Sequence, residues 1–206
     1  MKVLAAALMA LFFFQENHPP VVRIISPSPA NKYTAGSTVR YSISVSDKED
    51  GDTKFDEINP NEILLEVRTL NNISDTGKVT SDRKALHAMM SSNCMNCHAF
   101  TSKLIGPSFY DISTKKSNVA EMVKHVKDGS TGVWGEIVMP SHPELQNEEI
   151  TQMVNRIVKY KEKKNVEYFL TKEGTFHLKK PVVVITAGYL DHHKMYGEDK
   201  VVLIVQ

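Results

Sequence analysis

Cys94-Met95-Asn96-Cys97-His98 holds both cysteines of this 206-residue chain. Residues three and four apart share one face of a helical turn, so the two thiols and the imidazole point the same way. Three bonding schemes compete for such a trio. A short-loop disulfide would use only the thiols. A zinc site needs four ligands, usually from a second pair at similar spacing, and the chain has no second cysteine pair. A thioredoxin-like redox pair belongs in a βαβ setting and does not require His98. The C-x-x-C-H pattern is the attachment signature of a c-type haem, in which both thiols add to the vinyl groups of one porphyrin and the imidazole reaches the iron. That scheme uses every residue of the trio.

Composition sets the bounds. Hydrophobic residues make up 41% and charged residues 24%, ordinary for a globular protein of one large or two small domains. The formal net charge of +1 gives no bulk electrostatic argument for nucleic acid, and steering by charge should be weak. Met1-Lys2 followed by an apolar run from Val3 to Phe14 reads as a secretory signal over residues 1–16. A helix of that length falls short of the ~30 Å hydrocarbon core, so no transmembrane helix is expected in the mature chain. Haem is attached to c-type apoproteins outside the cytoplasm, so leader and motif agree on a periplasmic or secreted protein.

Around the motif, residues 79–164 carry three helical stripes. Leu86, Met89 and Met90 lead into Cys94. Val119, Met122, Val123 and Val126 follow Ser117-Asn118 and precede Gly129. Ile150, Met153, Val154, Ile157 and Val158 make the longest stripe. Asn147 is the expected N-cap of this last helix, with Glu148 and Glu149 in its first turn and Lys159, Lys161, Lys163 and Lys164 at its end, as the macrodipole favours.

This segment resembles the class I cytochromes c: a helix, the C-x-x-C-H turn, a proline loop at Ile105-Gly106-Pro107, a helix, a methionine-bearing loop and a terminal helix. The stretch Gly132-Val133-Trp134-Gly135-Glu136-Ile137-Val138-Met139-Pro140 is similar to the loop of small bacterial monohaem members. The resemblance implies that the Pro107 carbonyl accepts the Nδ1 proton of His98, which would fix the ring. It also implies that Trp134 lies against a propionate or the macrocycle.

His98 is the expected first axial iron ligand and Met139 the second. Met89, Met90, Met122 and Met153 sit on apolar stripes and read as core. Met95 lies inside the attachment turn. Met139 sits in a Gly/Pro-rich loop far enough from His98 to wrap around a porphyrin. The alternatives for the sixth position are His142, in Ser141-His142-Pro143, or an open site. His125, between Lys124 and Lys127, reads as a solvated surface residue. His18, His87, His177, His192 and His193 show no metal-ligand spacing.

The flanks read as strands. Val21–Ile25, Val39–Val45 and Ile63–Arg68 lie before the helical segment, and Thr175–Leu178, Val182–Tyr189 and Val201–Val205 after it. Each flank supplies about three strands and neither could bury both faces alone. The expected fold class is therefore α+β multidomain: an all-α cytochrome at 79–164 inserted between two halves, 17–78 and 165–206, of one immunoglobulin-like sandwich, the alternative being a separate sheet from each flank packed on the cytochrome. The first flank resembles bacterial extracellular Ig-like or PKD-type repeats through Tyr41–Asp47 and the acidic turn that follows. That turn, Asp47-Lys48-Glu49-Asp50-Gly51-Asp52, concentrates oxygen donors and is a candidate calcium site, though without EF-hand spacing.

The function this predicts is electron transfer by one covalent haem c with no substrate position at the iron, hence not an enzyme. A haem enzyme or gas sensor with a labile sixth ligand is the first alternative. An adhesion or glycan-binding β-domain with incidental haem is the second. The stretch Glu136–Leu145 is similar to modules that accompany periplasmic quinoprotein sugar and alcohol dehydrogenases. That likeness implies such a dehydrogenase as electron donor and a terminal oxidase as acceptor.

Overall fold

The computed structural model describes residues 16–79, 83–115, 118–160 and 165–206. Nearly all of the expected leader, Ser117 and the Lys161, Lys163 and Lys164 cluster lie outside the described residues. So do the chain segments at the two expected boundaries of the helical unit. Among the described residues no helix is long and apolar enough to cross a membrane.

Strand β1 (Val21–Ser26) pairs antiparallel with β2 (Thr38–Asp47), and β2 pairs in turn with the short β3 (Gly51–Asp52). After β4 (Leu64–Leu70) come four helices, α1 (Arg83–Ser91), α2 (Phe109–Thr114), α3 (Val119–Asp128) and α4 (Asn147–Val158). The chain then returns to β5 (Val166–Leu170), β6 (Glu173–His177), β7 (Val182–Leu190) and β8 (Tyr196–Ile204). Both flanks build both sheets. In the first sheet β6 pairs with β2, and the second has the order β5-β4-β7-β8. Each flank supplies four strands, one more than the sequence reading found. The additions are β3, too short for a pattern, and β5, whose side chains are all half-buried and show no alternation.

Alternation explains the pairing of the layers. In β2 the residues Val39, Tyr41, Ile43 and Val45 point inward at period two. They meet Leu65, Val67, Val183, Ile185 and Leu203 of the second sheet in one apolar core. Tyr41 sits across from Gly174 in the β2–β6 register, and a Cβ at Gly174 would come within 2.8 Å of the Tyr41 hydroxyl oxygen. The ring therefore needs glycine opposite it. Strand β7 is buried at every one of its nine positions, as a strand covered on both faces must be.

The second cover is the helical unit. Leu64, beside inward-facing Leu65, faces the other way and joins a separate cluster with Leu86, Met89, Phe109, Ile150, Met153 and Val154. Tyr168 and Leu170 of β5 pack on the same cluster, and Phe100 stacks on Tyr168 at 4.5 Å between ring centroids. A polar seam runs along this joint. Arg83 of α1 donates to Glu198 at 3.0 Å and to Thr186 at 3.3 Å, while buried Glu66 pairs with Arg68.

Helix ends follow local chemistry. Asn118 caps α3 by accepting from the Ala120 amide at 2.9 Å, and Gly129 ends it with φ of +81°. The N-cap of α4 is Gln146 rather than Asn147, because Glu149 reaches back to accept from the Gln146 amide at 3.2 Å. Helix α2 carries no periodic apolar stripe. With six residues it is too short for a stripe, and its signal is local: Ser108 accepts from the Asp111 amide at 3.0 Å and donates to its carboxylate at 2.7 Å.

Candidate functional site

At the end of α1, Asn93 takes a left-handed conformation (φ 60°) and turns the chain into a tight 3-10 turn over Cys94–Asn96. The Cys97 and His98 amides both donate to the Cys94 carbonyl, at 3.2 and 3.0 Å. The turn sets both sulfurs and the imidazole on one cavity of about 480 Å³, within the ~300–1,000 Å³ range of small-molecule sites. The cysteines are not joined in a disulfide. Burial, with the neighbouring Cys97 and Glu144 adding to it, pushes the Cys94 thiol up to about 11. Among the described residues no three His, Cys, Asp or Glu side chains converge to hold a metal ion. The donor set therefore does not fit zinc.

The loop after the turn fixes His98. The Gly106 amide donates to the Cys97 carbonyl at 2.8 Å, bringing Pro107 over the ring edge, where His98 Nδ1 donates to the Pro107 carbonyl at 2.7 Å. A carbonyl only accepts, so Nδ1 carries the proton and Nε2 keeps its lone pair. Phe109 stacks on the imidazole with centroids 5.5 Å apart and planes 19° apart. A Cβ at Gly106 would lie 2.5 Å from His98 Cε1, so a side chain there would displace the ring. Sequence reading missed the parts played by Gly106 and Phe109. The available signal was their position on either side of Pro107.

Met139 lines the same cavity, carried by a loop pinned to the end of α3. Ser130 and Met139 exchange two backbone hydrogen bonds, at 3.1 and 2.9 Å, and the His142 amide donates to the Val126 carbonyl at 3.0 Å. Gly129 makes this approach possible, since a Cβ there would meet the Met139 carbonyl at 2.9 Å. Trp134 also lines the cavity and is 42% exposed, with Lys115 Nζ 4.4 Å above its ring and donating to the Val133 carbonyl. Met122 and Val126 of α3 with Met153, Val154 and Ile157 of α4 form the apolar wall.

Two histidines are placed otherwise than the sequence suggested. His142, the expected competitor of Met139, does not line the cavity and pairs with Glu144 at 3.0 Å. His125, read as a solvated surface residue, is part of the cavity wall. Its lysine neighbours masked its position three residues after Met122, on the flank of the apolar stripe. The acidic turn lies far along the chain from this cavity, in the β-sheet region, and its carboxylates accept hydrogen bonds from protein groups. Asp47 Oδ1 takes the Glu49 and Asp50 amides at 2.9 and 2.7 Å.

Apolar walls, two thiols, one oriented imidazole and one thioether around a single cavity fit a flat apolar macrocycle carrying iron. No family model matches the chain. The chain is 40% identical over 62 residues to cytochrome c-551 of Ectopseudomonas mendocina, a match that takes in 28% of this chain and 76% of that protein. It is 30% identical over 74 residues to cytochrome c-552 of Nitrosomonas europaea, covering 34% and 72% respectively. The crystal structure of wild-type Nitrosomonas europaea cytochrome c552 aligns at 28% identity with a TM-score of 0.35, over 37% of this chain and 99% of that one. Over part of its length, then, the chain belongs to the class I monohaem cytochrome c-551/552 family.

Proposed function

We propose that the protein is an exported one-electron carrier with a single haem c bound through Cys94 and Cys97, its iron held by His98 and Met139. The observation that carries this reading is the convergence of all four side chains on one cavity, with the His98 ring fixed by its 2.7 Å bond to Pro107. When bound, the haem supplies a reversible ferric–ferrous couple at a saturated iron.

The chain's own residues do the rest. Cys94 and Cys97 would tether the macrocycle, and the Pro107 carbonyl holds the His98 tautomer that leaves Nε2 as the donor. The paired backbone of Ser130 and Met139 steadies the loop that presents the thioether. A thioether opposite an imidazole raises the potential relative to two imidazoles. Trp134 and Lys115 would close the cavity over the macrocycle edge. Weak redox encounters need only small interfaces, and the exposed apolar residues at the cavity mouth, among them Ile105, Ile137 and Val138, suit them.

We assign residues 79–164 to the cytochrome unit and 17–78 with 165–206 to an immunoglobulin-like sandwich that holds it. Residues 1–16 are read as the secretory signal of a periplasmic or secreted protein. A quinoprotein sugar or alcohol dehydrogenase as donor and a terminal oxidase as acceptor fit such a carrier. The test is spectroelectrochemical titration of the full chain. It should show one reversible one-electron step, a sulfur-to-iron charge-transfer band at the red edge of the oxidised spectrum, and no carbon monoxide binding when reduced. Absence of that band together with ready carbon monoxide binding would replace the carrier by an enzyme or sensor.

A further inference from the structure

The acidic turn between β2 and β3 has no part in the proposed electron transfer, yet three of its carboxylates are buried. Asp47 is 6% exposed and Asp191 1% exposed, and the side chains of Glu49 and Asp50 are 3% and 4% exposed. Among the described residues, the groups at ion-pair distance from these four carboxylates are the imidazoles of His18, on Glu49, and His192, on Asp50; no lysine or arginine joins them. Buried carboxylates without a full counter-charge are costly.

The contacts close a ring. Asn17 Nδ2 donates to Asp191 at 2.9 Å, His18 binds Glu49 through its amide and its ring, and the Glu49 and Asp50 amides rest on Asp47 Oδ1. Asp50 Oδ2 then accepts from the His192 amide at 2.9 Å and from the Tyr189 hydroxyl at 2.8 Å, which returns the circuit to Asp191. Asp50, Glu62 and Asp47 all add to burial in raising the Tyr189 hydroxyl, so their charges bear on one place. Two oxygens of the ring are buried with no hydrogen-bond partner, Asp47 Oδ2 and Asn17 Oδ1. Both are acceptors, and both lack a positive group.

We propose that this end of the sandwich binds a calcium ion, with Asp47 Oδ2 and Asn17 Oδ1 as its protein anchors. The ion would tie the segment entering β1 to the β2–β3 and β7–β8 turns. The donors are hard oxygens, which excludes a soft metal. No three carboxylate or imidazole side chains meet at one point among the described residues. A cation tolerant of backbone and water oxygens in irregular geometry therefore suits the site, which calcium is and magnesium is not.

The experiment strips the haem-loaded full chain with a chelator, then adds calcium chloride in a calorimeter and in thermal scans. One ion should bind with Kd at or below about 1 mM, as in extracellular modules, and raise Tm. Asp47→Asn should weaken binding at least about ten-fold and leave the haem spectrum unchanged. Asn17→Ser, outside the apolar core, should also weaken it and serves if the first variant does not fold. No heat and no Tm shift at about ten times that concentration, or equal affinity in wild type and variants, would overturn the proposal.

Discussion

The sandwich and the helical unit are built from similar residues and use them differently. In the sandwich, Tyr41, Val45, Ile63, Leu65, Val183, Ile185 and Leu203 are all fully buried, each sheet covering the other. In the helical unit, α3 has no fully buried residue, and its apolar stripe of Val119, Met122, Val123 and Val126 is half-buried, with Met122 and Val126 lining the cavity. The first region finds its apolar partner within the chain. The second presents an apolar wall to a bound group, so its cohesion should depend on that group far more than the sandwich's does. The two meet on β4 and β7, which each region uses as a floor.

The largest expected effect follows from that contrast. Replacing both Cys94 and Cys97 by alanine should abolish covalent haem and melt the helical unit, leaving an unfolding transition from the sandwich. Far-ultraviolet dichroism should lose helix and keep strand. A single cooperative loss of both signals would show that the regions are one folding unit.

Next comes a paired truncation in the haem-bound chain. Leu65→Ala, in the middle of the sandwich core, should cost about 2–5 kcal/mol in denaturant unfolding. Met122→Ala, on the half-buried wall, should cost about 1 kcal/mol, since less area is at stake. Equal losses would erase the distinction between a self-filled core and a wall.

The seam between the regions gives a smaller, pH-dependent effect. His87 of α1 is buried against Tyr196 of β8, with ring centroids 5.1 Å apart. Burial pushes it down from 6.5 to about 3, against a hydrogen bond to the Glu62 backbone that raises it and with the Arg83 charge adding to the fall. The unfolded chain therefore takes up a proton that the folded chain refuses. Stability is full above pH 6.5 and falls as the pH drops toward 3. The slope should be about 1.4 kcal/mol per pH unit for this group. His87→Leu should flatten that slope by about one proton in acid-denaturation curves, and an unchanged slope would place the titrating group elsewhere.

The legible parts of this molecule were those written in local sequence. The trio at Cys94, Cys97 and His98 is compact enough to read directly, and the β-branched run Val182–Ile185 announces a strand. Three stripes located α1, α3 and α4. What escaped was short or non-local. Helix α2 has only its Ser108 cap, and β5 mixes half-buried residues because one edge strand serves both regions. The pairing of Thr38–Ser42 with Glu173–His177 joins segments separated by the whole helical unit, and no local pattern specifies it. His125 looked solvated because Lys124 and Lys127 flank it in the sequence, although it shares its face of α3 with Met122 and borders the cavity.

Denaturing gel electrophoresis of the full chain with peroxidase staining tests the central claim most directly. Haem joined through Cys94 and Cys97 predicts colour that stays with the polypeptide after boiling in detergent and disappears in the double alanine variant. Colour that runs free of the wild-type band would contradict it.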